Sequence, residues 1–434
     1  MKAATKGQKL PVPLRAYRGL TAMAGLLTPA WLGYRVRKGK EDPSRLAERR
    51  GFASAERPRG TLVWVHGASV GEIISVMPLV ERLVERGFSC LLTSGTLTSS
   101  RIVARRAPRG VIHQFIPLDA PRFVARFLDH WKPDLALIAE SELWPNLLAE
   151  IGRRGTPLVM VNARLSHRSA GRWGRLPRSA GALLSRVDLC LAQTRDDAQR
   201  FKTLGAPRVE VAGNLKFDVP PPPVDPAALD AMLRHLHDRP VFLAASTHPG
   251  EEEAIAQVHL ALREEIPGLL TVIVPRHPER GEAVRVIAEQ AGLPALTRSS
   301  GHMPDEGIEI YVADTIGELG LFYRLAPVVF VGGSLARHGG QNPIEAAKLG
   351  AVVLHGPHVW NFGLVYDRLD AEGGAGLVNS AEDIIDSVLA QYADPTLHAR
   401  TAEAARRTTA ALSGALERTL SAIEPYLVQL RLGR

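Results

Sequence analysis

Five of the nine residues from Asp218 to Pro226 (Asp-Val-Pro-Pro-Pro-Pro-Val-Asp-Pro) are proline. Proline has no N–H to donate and a fixed φ, so such a run continues neither a helix nor a central strand and acts as a stiff, extended spacer. It divides the 434 residues into two parts, each long enough to bury its own core. On both sides of it short apolar runs alternate with amphipathic ones, the pattern of βα units on a parallel sheet.

Strands are expected at Thr61–Val65, Ser89–Thr93, Val111–Phe115, Leu135–Ala139, Leu158–Asn162, Leu189–Gln193 and Val209–Ala212 in the first part. In the second they are expected at Val241–Ala245, Leu270–Val274, Ile308–Ala313, Val328–Val331 and Ala351–Leu354. Helical patterns fill the gaps, as at Ile73–Arg86 and Glu251–Glu264. The reading is α/β: a basic, apolar segment 1–40, a doubly wound domain 41–218, the linker 219–226, a second doubly wound domain 227–400 and a C-terminal helix 401–434. Ligands of open α/β sheets bind outside the carboxyl ends of the strands, so the cleft between two such domains is the expected site.

The composition, 45% hydrophobic and 23% charged, excludes a disordered chain and a collagen-like repeat. The two cysteines, Cys90 and Cys190, sit in apolar runs and read as small buried hydrophobes of a reducing compartment. Charge is unevenly placed. Residues 1–50 hold twelve basic and three acidic side chains, a net +9, while the whole chain carries only +8. A nucleic-acid binder spreads charge over a folded face with interleaved aromatics, which is not the pattern here. Between Arg18 and Arg35 lie sixteen uncharged residues, among them Leu20, Met23, Leu26, Leu27 and Trp31, interrupted by Pro29. This is short of the roughly 20 apolar residues of a spanning helix, so a helix attached to an anionic membrane surface is expected, with a first helix packed on its own domain as the alternative.

Chemistry-bearing residues cluster after the expected strands. His66-Gly-Ala-Ser-Val-Gly-Glu72 opens a helix, where unpaired N–H groups favour an anion and Glu72 is free to serve as a base. Gly67-Ala-Ser69-Val-Gly71 also fits the Gly-x-Ser-x-Gly nucleophile elbow, so a serine hydrolase is the alternative reading. Glu140-Ser-Glu142-Leu-Trp-Pro-Asn146 puts two carboxylates and a Trp at a strand end, Ser94-Gly-Thr-Leu-Thr-Ser-Ser100 is rich in hydroxyls, and Lys216 stands near the linker. Beyond it come Ala245-Ser-Thr-His248, Pro275-Arg276-His277-Pro-Glu-Arg280, Gly332-Gly-Ser334 and Asn342-Pro-Ile-Glu345, the last opening a helix as a phosphate-and-ribose site would. There is no Gly-x-Gly-x-x-Gly, Walker A or Asp-x-Asp, and His355-Gly-Pro-His358 lacks companion ligands, so no metal site and no dinucleotide cofactor are expected.

Seven motifs occur in order: 66–72, 140–146, Asn162-Ala-Arg-Leu-Ser166, Lys216-Phe-Asp218, 275–280, Asp314-Thr-Ile-Gly-Glu-Leu319, and 332–334 followed by 342–345. Together they resemble the 3-deoxy-D-manno-octulosonic acid (Kdo) transferases of Gram-negative bacteria. The likeness covers about residues 60 to 365. It departs at Ala68, where some members have Val, and at Ala139, where Met is common. The resemblance implies a GT-B glycosyltransferase with two Rossmann-like domains, moving Kdo from CMP-Kdo to the glucosamine disaccharide of a lipid A precursor with inversion. It implies no metal or separate cofactor, and a place on the cytoplasmic side of the inner membrane. It implies that Glu72 is the base and that Glu140 and Lys216 stabilise the transition state. Pro275, Arg276, Ile316, Gly317, Glu318, Asn342, Pro343, Ile344 and Glu345 would hold CMP.

Overall fold

The computed structural model describes residues 9–432. Lys2 and Lys6 of the expected anchor, and Arg434, lie outside the described residues. The chain divides into two compact units, Met1–Val219 with Ser413–Arg434, and Pro220–Leu412.

The first unit is built on seven parallel strands: β1 (Leu62–Gly67), β2 (Ser89–Ser94), β3 (Ile112–Phe115), β4 (Leu135–Ala139), β5 (Leu158–Ala163), β6 (Leu189–Ala192) and β7 (Val209–Val211), in the order 3-2-1-4-5-6-7. Because helices cover both faces, most of these strands are apolar along their whole length. Alternate residues feed two separate cores. Leu62, Trp64, Leu91, Ile138 and Met160 face one side, and Val63, Val65, Leu92, Leu137 and Val161 the other. On the first side lie α1 (Val12–Arg37), through Leu14, and α4 (Pro121–Trp131) and α5 (Pro145–Arg154). On the second lie α2 (Val70–Glu85) and the last helix, Ala415–Leu432. The short α3 (Leu97–Arg106) follows β2.

The second unit repeats the plan with β8 (Val241–Thr247), β9 (Leu270–Pro275), β10 (Ala295–Thr297), β11 (Ile310–Val312), β12 (Val328–Val331), β13 (Val352–His355) and β14 (Ala375–Leu377), in the order 10-11-9-8-12-13-14. Each sheet reverses its winding beside its first strand, between β1 and β4 and between β8 and β12. Those switch points are where doubly wound sheets bind ligands.

Four expectations need correction. β1 runs on through His66 and Gly67, which pair with Thr93 and Ser94 of β2 and so belong to the strand rather than to the turn. β10 and β14 were not expected; at three residues each, half-exposed at the sheet edges, they carry no apolar run to betray them. The C-terminal region is two helices, not one. Pro395–Leu412 stays with the second unit, the chain breaks at Gly414 (φ +93°), and Ala415–Leu432 returns to the first. Finally, α1 is 26 residues long and passes through Pro29 without stopping. One side packs on the first unit through Leu14, Thr28 and Leu32, so the segment is partly a domain helix. The other side leaves Leu20, Met23, Leu26, Leu27, Trp31 and Tyr34 between 45% and 74% exposed. Among the described residues no helix is long and apolar enough to cross a membrane.

Candidate active site

In the first unit the β1–α2 connection, the β4–α5 loop and a turn after β7 bring three of the expected residues together. Ser69 caps α2 in extended conformation; its hydroxyl accepts the Glu72 N–H at 3.3 Å and donates to Glu72 Oε1 at 2.8 Å. Glu72 reaches back so that Oε2 accepts the Ala68 N–H, one residue before the cap, at 2.9 Å. The side chain is buried, and burial raises its pKa above the ordinary carboxylate value. The Ala68 and Ser69 hydrogen bonds oppose the rise, and the neighbouring Glu140 adds to it.

Glu140 follows β4 in left-handed conformation (φ +54°), its N–H bonded to the Val161 carbonyl at 3.0 Å. This strained backbone turns the carboxylate toward Lys216, whose Nζ donates to Oε1 at 3.2 Å. Lys216 sits in the short turn Leu215–Phe217. Two asparagines hold the turn, Asn162 Oδ1 accepting from Leu215 N and Asn214 Oδ1 from Lys216 N, each at 3.0 Å. Asn162 is itself left-handed (φ +51°) and buried at the end of β5. Glu142 is held differently. Its carboxylate accepts the Trp144 indole N–H, and burial raises its pKa, with Glu72 and Glu140 adding to the rise. Glu140 and Glu142 are thus separated in setting, the former paired with a cation and the latter with an indole.

The hydrolase reading fails on this geometry. The Ser69 hydroxyl is occupied by Glu72, its backbone (φ −109°, ψ 169°) lacks the strain of an elbow, and among the described residues no histidine is hydrogen-bonded to it. The nearest candidate in sequence, His66, is fully buried with Nδ1 2.9 Å from Thr93 Oγ1, and burial pushes its pKa down to about 4.

In the second unit Pro275 is the last residue of β9, one residue beyond the expected strand, and the other expected donor residues follow strand carboxyl ends. Arg276, exposed, comes after β9, its N–H bonded to the Thr247 carbonyl at 3.0 Å. Ile316, 72% exposed, and Gly317 (φ +96°) lie in the turn after β11. Glu318 of that turn is clasped by Arg298 at 2.8 and 3.2 Å, and this pairing holds its pKa below the usual value. After β12, Asn342 Nδ2 donates to Glu345 Oε1 at 3.2 Å, and its Oδ1 accepts Ile344 N at 3.1 Å, so Asn342 and Glu345 act together at the start of the helix Ile344–Lys348 that Pro343 precedes.

Residues to which the sequence assigned no role organise this edge. Glu251, buried, accepts five backbone N–H groups, from His248, Gly333, Ser334, Leu335 and Ala336, at 2.7 to 3.1 Å. The loop after β12 is thereby wrapped around one carboxylate. The His248 ring stacks on His338 at 4.1 Å and meets His277 edge-on at 6.2 Å; burial, then these neighbours and Arg276, push its pKa down to about 4. Among the described residues no group of three or more His, Cys, Asp or Glu could hold a metal ion.

Two doubly wound parallel sheets, each with candidate site residues at strand carboxyl ends, are the architecture of the GT-B type. A solved glycosyltransferase from Rickettsia africae shares the fold, with a TM-score of 0.57 at 13% identity over 85% of this chain and 99% of that one. The family model described as 3-deoxy-D-manno-octulosonic-acid transferase matches residues 44–219. The 3-deoxy-D-manno-octulosonic acid transferase of Haemophilus influenzae is 36% identical over 95% of this chain and 98% of its own length, and that of Bordetella pertussis 37% over 95% and 98%. The chain belongs to the Kdo transferase family.

Proposed function

We propose that this Kdo transferase takes Kdo from CMP-Kdo and places it on a glucosamine hydroxyl of a lipid A precursor, with inversion and without a metal ion. The observation that carries the reading is the environment of Glu72: a buried carboxylate with raised pKa, fixed at the start of α2 beside the Glu140–Lys216 pair. In this reading Glu72 takes the proton of the acceptor hydroxyl while its oxygen attacks the anomeric carbon of Kdo. The bond from that carbon to the phosphate breaks, and CMP leaves with the bonding electrons. A positioned base contributes about 10²–10⁴-fold to such a step. The Lys216 ammonium, with Glu140 as its counter-charge, would stabilise charge that develops as the bond breaks. Arg276 and the N-terminal end of the helix Ile344–Lys348 would receive the CMP phosphate, and Glu345 the ribose hydroxyls.

A lipid acceptor is supported by α1. Its exposed apolar side chains follow one another at helical spacing, and Arg35 and Lys38 pack over the Trp31 and Tyr34 rings. This is the form of a helix lying in the cytoplasmic face of an anionic membrane. The test is incubation with CMP-Kdo and an acylated glucosamine disaccharide, reading CMP release and product mass. Mass gain by one or more Kdo residues, absent in Glu72→Ala, supports the reading; no transfer by the native chain, or transfer by the variant within tenfold of native, overturns it.

A further inference from the structure

Between α1 and the loops that begin α4 and α5 lies an open cavity of about 380 Å³, lined by Tyr17, Gly25, Thr28, Trp31, Leu118 and Trp144 among others. That volume falls in the range of about 300–1,000 Å³ typical of small-ligand sites. The polar groups at its floor are already paired with one another. Asp119 accepts the Tyr17 hydroxyl at 3.1 Å and the Asn146 and Leu147 N–H groups at 3.0 and 2.9 Å. Asn146 Nδ2 donates to Thr21 Oγ1 at 2.9 Å and also to the Asp119 carbonyl at 2.6 Å. Burial raises both the Asp119 and the Tyr17 pKa, as befits groups committed to this internal network. What remains for an occupant is therefore an apolar wall, which offers little to a sugar or phosphate and suits a hydrocarbon.

Two features of this cavity connect it to a reacting lipid. One wall is Trp144, whose indole N–H is bonded to Glu142, two residues from Glu140. The opposite wall is α1, whose Leu27 and Trp31 line the cavity and also belong to the exposed apolar stripe. The space thus runs from the stripe to the loop that carries the candidate catalytic carboxylate. Resting on the lipid-acceptor reading above, we infer that this cavity receives one acyl chain of the acceptor and so sets how the glucosamine head is presented to the first unit.

Ala24 is exposed and lines the cavity, so Ala24→Phe fills it without disturbing the packed side of α1. With the acylated disaccharide its KM is expected to rise at least tenfold. With the same disaccharide stripped of its chains the rise should be at least tenfold smaller, and CMP affinity and Tm should match the native chain. A second readout does not depend on turnover: a glucosamine carrying a chain-brominated dodecanoyl group should quench tryptophan fluorescence. Most of that quenching should vanish in Trp31→Phe/Trp144→Phe and be weakened tenfold in concentration by Ala24→Phe. Equal KM effects on both acceptors, or quenching that survives both variants, overturns the acyl site. Failure of the native chain to glycosylate either acceptor overturns the transferase reading instead, and the quenching arm still decides the cavity.

Discussion

The side-chain oxygen of Asn162 holds the backbone N–H of Leu215 at 3.0 Å, across 53 residues of sequence, and so fixes the turn from which Lys216 reaches Glu140. Asn162 tolerates its left-handed backbone because Asn is among the few residues that adopt it at modest cost. Asn162→Ala would leave the Leu215 N–H unpaired and place Ala in that strained conformation. The expected loss of stability is about 1–3 kcal/mol, read by denaturant unfolding. A kcat reduced well beyond what Tm predicts, with CMP affinity unchanged, would mark Asn162 as holding Lys216 in place; an unchanged kcat would remove that role.

Glu72 should govern the acid limb of the activity profile. Only its ionised form accepts a proton, and burial raises its pKa, so activity should fall away at a higher pH than an exposed carboxylate would dictate. The Ser69 hydroxyl bond opposes the rise, so Ser69→Ala is expected to move the limb further upward. Glu72→Gln removes the base and should reduce kcat about 10³-fold or more. Burial penalises the ionised carboxylate in the folded state relative to the unfolded chain, a penalty fully present once pH exceeds the raised pKa, so the variant should keep or raise Tm at pH 7. A profile unmoved by Ser69→Ala would count against Glu72 as the titrating group.

Glu251→Ala would strip five N–H groups of their shared acceptor and release the loop after β12. A destabilisation of about 3 kcal/mol or more is expected, since each buried unpaired donor costs about 1–3 kcal/mol. Denaturant unfolding measures it, and titration with CMP should show weaker binding alongside. Glu345→Ala should weaken CMP by about 1–3 kcal/mol through its own lost hydrogen bonds, and Arg276→Ala comparably, without the unfolding penalty.

Membrane attachment is best tested by substitution rather than deletion. Removing residues 1–34 would uncover the core around Leu14, Thr28 and Leu32 and break the Tyr17–Asp119 bond. Replacing Leu20, Met23 and Leu26 with Ser removes only exposed apolar surface. This variant should sediment with anionic vesicles at least tenfold less well while keeping its Tm. Undiminished sedimentation would move the membrane contact to another surface.

What the sequence declares follows from locality. Strands buried on both faces must be apolar throughout, so β1, β2, β4, β8 and β9 stand out as runs, and Glu72 is marked by the Ser69 cap four positions into one motif. What it conceals depends on residues far apart. The positive φ of Glu140 is set by the neighbouring strand end, not by its own type. The Glu251 carboxylate reads as an ordinary helix-start acid until Gly333 to Ala336, 82 to 85 residues later, fold around it. The break at Gly414 is likewise made by Asp218, which accepts the Gly414 and Leu416 N–H groups from 196 and 198 residues away.

That last contact has a consequence for synthesis. Ala415, Leu420, Ile423 and Leu427 complete one of the two cores of the first unit, yet they are made after the whole of the second unit. Until they emerge, the face of the sheet that holds Val63, Val65 and Leu92 lacks part of its cover, although these residues were made some 320 to 350 positions earlier. The second unit, a continuous stretch from Pro220 to Leu412, has no such debt to a later segment. A nascent chain stalled near Leu412 would therefore carry a finished second unit and an unfinished first one, the reverse of the order in which they begin translation.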